Sequence, residues 1–261
     1  IAHNNAFDAA ILAYRYNIFP WKYGCTRSMS QALFCGEKSH SLAVTAQRLN
    51  LPTRKGDDLV NAANIKYFSQ ELRQKIEAYC KNDVKLCQAA YEEMRPNFPT
   101  TERDLIDLTI KMWVNPTLVL NVPRAQEFLE KVKSEKQHLV QNSGVAKHIL
   151  SSNKKFANWL QSKGYEVPMK TSETTGNETF AFAQNDKGFQ DLQVKHPELA
   201  PVIDARLAVK STIDETRTKR FIDHSELNDG FMPIPLRYYG AHTGRWGGSE
   251  KLNFQNLPRG G

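Results

Sequence analysis

Two stretches of this chain hold carboxylates whose surroundings call for a partner. The chain opens IAHNNAFDAAILAY, with Asp8 at the mouth of a helix whose first turns carry Ala9, Ile11, Leu12 and Tyr14. Asn4, Asn5 and Asp8 cluster where capping side chains belong, so helix capping and a reactive carboxylate are both open readings there. Farther on, Tyr79 and Asp83 stand four apart, one helical turn, and point to the side that the neighbouring apolar residues face. A carboxylate on such a face needs a hydrogen bond from a tyrosine or backbone amide, or a group brought in from elsewhere in the fold. A third feature is basic: in RLAVKST, Arg206 and Lys210 share a helical face with Arg217. Such a stripe suits a row of phosphates, and equally a solvated face. The last is a glycine-rich end, YYGAHTGRWGGSEKLNFQNLPRGG.

The elements that would position these groups follow from apolar periodicity. Ser69 to Met94 carries Leu72, Ile76, Tyr79, Asp83, Leu86 and Ala90 at spacings of three and four, which predicts one helix with one inward stripe. Pro96 and Pro99 end it, and Thr101–Asp104 resembles a capping box opening a helix that turns Leu105, Leu108 and Met112 inward. The domain boundary is placed between Arg95 and Thr101. Beyond it come the apolar run TLVLNV, a helix from about Pro123 with Phe128, Leu129 and Val132, and another from Asn153 with Phe156, Trp159 and Leu160 that stops at Gly164. KTSETTGNET (170–179) reads as a surface loop, and a long helix is predicted from Pro197 or Glu198 to about Ile222.

Composition bounds the function. The chain has 261 residues, 40% hydrophobic and 24% charged, enough for one large domain or two modest ones, and its formal net charge of +7 suits a polyanion partner. The four cysteines, Cys25, Cys35, Cys80 and Cys87, form no C-x-x-C pair and have no histidine at zinc spacing, which favours reduced thiols in a cytosolic compartment. No apolar run approaches the roughly 18 residues of a membrane span, and no signal peptide is present. There is no initiator Met; the start at Ile1 in mid-pattern and the stop at Gly261 after a motif-like segment read as cut ends.

Taken together, N-x-x-F-D at Asn4–Asp8 and Y-x-x-x-D at Tyr79–Asp83 resemble the second and third motifs of the DEDD 3′-5′ exonucleases, in the tyrosine subclass that proofreads for family A DNA polymerases. T-G-R at 243–245, with Q-N-L-P beginning at Gln255, resembles the primer-template motif of the same family, and the Tyr-Tyr-Gly-Ala-His lead-in is like its phage-type members. RLAVKST is similar to the family's duplex-touching segment at the base of the thumb. The resemblance implies a partial ribonuclease H-like α/β exonuclease domain over 1–98, then, over 99–261, the helix-rich thumb and first palm strands of a right-hand polymerase fold.

Phosphodiester hydrolysis in this family uses two divalent ions about 3.5–4 Å apart, held by clustered carboxylates. The resemblance makes Asp8 and Asp83 metal ligands for Mg²⁺ and Tyr79 the residue that orients the attacking water. It also implies DNA contacts from Asn4, Arg206, Lys210, Ser211, Thr212, Thr243, Gly244, Arg245, Gln255 and Asn256. Arg245, helped by the amides of Gln255 and Asn256, suits the minor groove, where every base pair presents acceptors in similar places; Gly244, Gly247 and Gly248 would let backbone approach the duplex. The implied partners are primer-template DNA, a single-stranded DNA 3′ end and, in the intact enzyme, deoxynucleoside triphosphates, in the cytoplasm of a host cell if phage-encoded, with no membrane. The chain contains no Asp-x-Glu, the family's first exonuclease motif, and neither an Asp-Tyr-Ser nor a His-Asp pair, so the polymerase carboxylates are absent from it. Two readings remain: a segment of a proofreading DNA polymerase, inert alone, or a short nucleic-acid-binding protein that kept the scaffold without the chemistry. The host, a processivity partner and the role of Trp246 are not legible.

Overall fold

The computed structural model describes residues 1–52 and 67–257. They form two compact units, Ile1–Val119 with Asn228–Gly261, and Leu120–Leu227. Pro258 and Arg259, the end of the Q-N-L-P-R motif, lie outside the described residues.

In the first unit, α1 (Asn5–Ala10) runs on into a wider turn over Ile11–Arg15, followed by α2 (Thr26–Leu33), α3 (Leu42–Arg48), α4 (Gln70–Met94) and α5 (Thr100–Val114). Helix α4 has the predicted span. Ser69 caps it, its hydroxyl accepting from the Leu72 amide at 3.2 Å, and Tyr79, Leu86, Ala90 and Met94 turn inward. Met94 and Ala90 share a core with Ala9, Met29, Phe98, Ile106, Ile110 and Tyr238. Because Phe98 and Ile106 are buried together there, the boundary placed between Arg95 and Thr101 falls inside this unit rather than at its edge. The β structure among the described residues of 1–98 is one parallel bridge, Ala2 with Cys25.

Helix α5 starts two residues earlier than the capping-box reading places it. Pro99 occupies the cap position with no side-chain cap bond, its carbonyl accepting from the Arg103 amide at 3.2 Å. The buried face is then Ile106, Ile110 and Val114, at strict spacings of four, whereas Leu108 is 48% exposed. That face packs on α1 and on β3 (Leu236–Arg237), which pairs antiparallel with β4 (Gly247–Gly248).

The second unit holds α6 (Val122–Ser143), α7 (Lys147–Ser151), α8 (Asn153–Ser162), a hairpin of β1 (Met169–Thr171) and β2 (Glu178–Phe180), then α9 (Lys187–Lys195), α10 (Ala200–Lys210) and α11 (Ile213–Glu226). Phe156, Leu160, Phe182, Phe189 and Ile203 form its core. Helix α6 is capped by Asn121, whose carbonyl oxygen accepts from the Arg124 amide at 3.1 Å, and stops at Gly144 with φ +61°. It packs on α10 and α11 through half-buried residues, but Phe128 faces outward, 46% exposed.

Two predictions are corrected here. The stretch 170–179 is not all loop: Lys170 pairs with Thr179 and Thr171 with Glu178, and the ring of Phe180 stacks on Phe182 at 5.5 Å, so β-branched and aromatic residues draw its ends into a hairpin. The long helix is two helices, broken at Ser211–Thr212. Lys136 Nζ donates at 2.8 Å to the Ser211 carbonyl, the group that an unbroken helix would give to the amide of Glu215. Lys136 also pairs with the Glu215 carboxylate at 2.8 Å, which fixes the start of α11. No described helix is long and apolar enough to cross a membrane.

Candidate functional site

Asp8 and Asp83 line one cavity of about 960 Å³ in the first unit. The capping reading of Asp8 does not hold. Asn4, in the left-handed region at φ 70°, occupies the cap position of α1 with no side-chain cap bond. Its side-chain Oδ1 instead accepts from Arg27 Nη1 at 3.2 Å, and Asn5 is buried, donating from Nδ2 to the Gly24 carbonyl at 2.8 Å. Asp8, in the first turn of α1, lines the cavity, where burial pushes its carboxyl above the ordinary range against a hydrogen bond from its own backbone amide. Helix α4 carries Asp83, which lines the same cavity. Tyr79, one turn earlier, is buried in the inward stripe and does not line the cavity.

Part of the wall was not foreseen. His3 and His40 line it, and they join a chain of buried hydroxyls: His3 Nδ1 with Thr26 Oγ1 at 2.9 Å, His3 Nε2 with the His40 carbonyl at 3.0 Å, His40 Nδ1 with Ser30 Oγ at 3.1 Å, and Thr45 Oγ1 donating to Ser30 Oγ at 3.0 Å. This network ties the segment before Asn4 to α2 and α3. Desolvation depresses the His40 pKa, with Arg48 and Arg27 adding to it, against the Glu37 carbonyl and carboxylate. A depressed histidine stays neutral in the fold while the unfolded chain takes its proton near 6.5, so its contribution to stability is intact above that value and lost as the pH falls below it. The urea midpoint of the wild-type chain therefore drops between pH 7.5 and 5.5, and His40→Gln shows a smaller drop; equal drops would contradict this.

The donor set can be compared with what divalent ions need. Asp8 and Asp83 present hard carboxylate oxygens of the kind Mg²⁺ takes. Among the described residues no group of three or more His, Cys, Asp or Glu is placed to hold a metal ion. The pair fits a share of a ligand set and falls short of two dications.

The glycine-rich end is anchored from below. Trp246 Nε1 donates to Thr109 Oγ1 at 2.9 Å and its ring packs on the core, while the Tyr238 hydroxyl donates to Glu102. A Cβ on Gly240 would sit 2.3 Å from the Gly247 nitrogen, and one on Gly248 would meet the Asn253 side chain at 2.6 Å. Gly247 and Gly248 therefore serve the loop's own packing rather than an external approach. Between these anchors Thr243, Gly244 and Arg245 are exposed at the tip, with Gly244 at φ +78°; Gln255 and Asn256 are exposed on the turn that follows β4.

In the second unit the basic stripe divides. Arg206 is 1% exposed: its guanidinium lies 4.9 Å from the Phe156 ring centre and 5.5 Å from that of Phe182, and donates to the Leu150 carbonyl and to Asn153 Oδ1. It ties α10 to α7 and α8 and is no surface cation, which corrects its place in the stripe. Arg217 lies across the helix break, half-buried on α11. Lys210, Ser211 and Thr212 are exposed at the end of α10 and the break, with Lys210 Nζ 3.3 Å from the Ser151 carbonyl.

No protein-family model matches the chain, and no curated protein matches it.

Proposed function

We propose that the chain is part of a proofreading family A DNA polymerase, phage-type, with 1–98 from the 3′-5′ exonuclease domain and 99–261 from the start of the polymerase domain, acting on primer-template DNA in the cytoplasm. The observation that supports the reading is that Asp8 and Asp83, from motifs far apart in sequence, line one cavity. Both would serve as Mg²⁺ ligands, the ions supplying an activated water and charge neutralisation at the cleaved phosphodiester. Asn4 and Arg27, joined by a hydrogen bond and both lining that cavity, would hold the 3′-terminal nucleotide, and Tyr79, one turn before Asp83, would orient the attacking water. The exposed tip Thr243–Arg245 and the amides Gln255 and Asn256 would grip the duplex, with deoxynucleoside triphosphates and the polymerase carboxylates belonging to further sequence.

Two carboxylates do not hold two dications against water, since Mg²⁺ gives up its hydration shell reluctantly. The chain alone, incubated with end-labelled single-stranded DNA and Mg²⁺ or Mn²⁺, leaves it intact, and joining an upstream segment that carries Asp-x-Glu brings stepwise 3′ shortening. Shortening by the chain alone, or none by the joined protein, would contradict the assignment.

A further inference from the structure

The segment between the wider turn of α1 and the Ala2–Cys25 bridge carries aromatic rings that the fold does not use. Tyr16 is 64% exposed, Phe19 50% and Trp21 92%. An indole left in water contributes little to folding, yet the backbone beneath this one is held firmly. Lys111 Nζ donates to the Trp21 carbonyl at 2.9 Å, the Tyr23 amide donates to Asp107 Oδ1 at 2.7 Å, and Lys22 pairs with Asp104. Its neighbours in sequence, Pro20 and Lys22, line the Asp8–Asp83 cavity, and Trp21 lies in solvent beside that lining.

Cations stand beside the carboxylates in the cavity lining. Lys22, Arg27 and Lys38 line the cavity and are exposed, and Arg15 is exposed at the start of the same segment. Lys22's surface ion pair is weak enough to exchange for a phosphate. Flat rings held on a fixed backbone and interleaved with cations are what a single strand needs: bases stack on the rings while the cations follow the phosphates, without regard to sequence. A duplex, its bases already stacked, offers no faces to such a surface.

We propose that Trp21 is a base-stacking platform for single-stranded DNA beside the Asp8–Asp83 cavity, with Lys22 and Lys38 on the flanking phosphates. The proposal rests on the exonuclease reading and adds to it a residue that admits the frayed strand and turns away the paired one.

The test uses the whole chain in EDTA at low salt, with fluorescein-labelled oligo(dT) read by polarisation and an oligo carrying 3′-terminal 5-iododeoxyuridine for photocross-linking. Trp21→Ala is expected to weaken oligo(dT) binding about fivefold or more. Trp21→Phe keeps most of the affinity, Trp21→Leu does not, and duplex binding is unchanged in all three. The cross-link falls on Trp21 in the wild type. Because the ring is in water, these variants fold. Wild-type affinity in Trp21→Ala with the cross-link elsewhere overturns the platform and leaves the exonuclease reading standing; rescue by leucine overturns stacking as the cause; a wild-type chain that ignores oligo(dT) overturns both.

Discussion

If the chain is part of a proofreading polymerase as proposed, Asp83→Asn in the intact enzyme lowers the rate of 3′-5′ exonuclease cleavage by about a thousandfold, and Asp8→Asn by a comparable factor. Ions that activate water and neutralise the leaving oxygen supply several kcal/mol to the transition state, and each 1.36 kcal/mol is about tenfold in rate. An amide keeps the shape of the side chain while removing the charge that holds the ion, so the loss reports ligation rather than packing. Tyr79→Phe is milder, because its ring is buried in the α4 stripe and stays there when the hydroxyl is removed. Rates on labelled single-stranded DNA at saturating Mg²⁺ measure all three. A full-length enzyme indifferent to both aspartates would mean that the shared cavity is not the catalytic one.

The second large effect is at Arg245. Its side chain leaves an exposed tip whose base is pinned by Trp246 on Thr109, so truncating it removes a contact without loosening the loop. If the guanidinium lies in the minor groove of the primer-template, Arg245→Ala weakens duplex binding by about 1–3 kcal/mol, roughly 5- to 150-fold, whatever the base pair, since the acceptors it reads are shared. Lys210→Ala removes a phosphate contact instead, lowering affinity and reducing the slope of log affinity against log salt by about one unit. Matched and mismatched primer ends separate the two variants, because a mismatch displaces groove acceptors and leaves phosphates nearly in place. Extension of matched primers at the wild-type rate by Arg245→Ala, with Lys210→Ala impaired, would leave T-G-R a surface loop.

How far sequence reaches can be seen element by element. Helix α4 was legible because its stripe, its serine cap and the prolines behind it are all local. The break in the predicted 197–222 helix was not, because the helical period continues through it and the lysine that takes the Ser211 carbonyl comes from α6. Residues 170–179 carry too many polar side chains to announce a hairpin, which pairs Met169 with Phe180, Lys170 with Thr179 and Thr171 with Glu178. Arg206 did carry a signal that a charge count passes over: it shares its face with Val202, Ile203 and Val209, all buried, which marks an inward arginine. His3 and His40 gave no spacing to read, since their partners are single hydroxyls on another helix, α2. That Asp8 and Asp83 line one cavity has no local pattern either, since the two residues lie on different helices far apart in sequence.

The most direct test is one gel assay with the full-length protein on a primer-template whose primer ends in a 3′ mismatch, with Mg²⁺ and deoxynucleoside triphosphates. The account predicts that the wild type removes the mismatched nucleotide and then extends, while Asp83→Asn no longer excises the mismatch yet still extends a matched primer. Excision by Asp83→Asn at the wild-type rate, or a wild-type protein that neither excises nor extends, would contradict it.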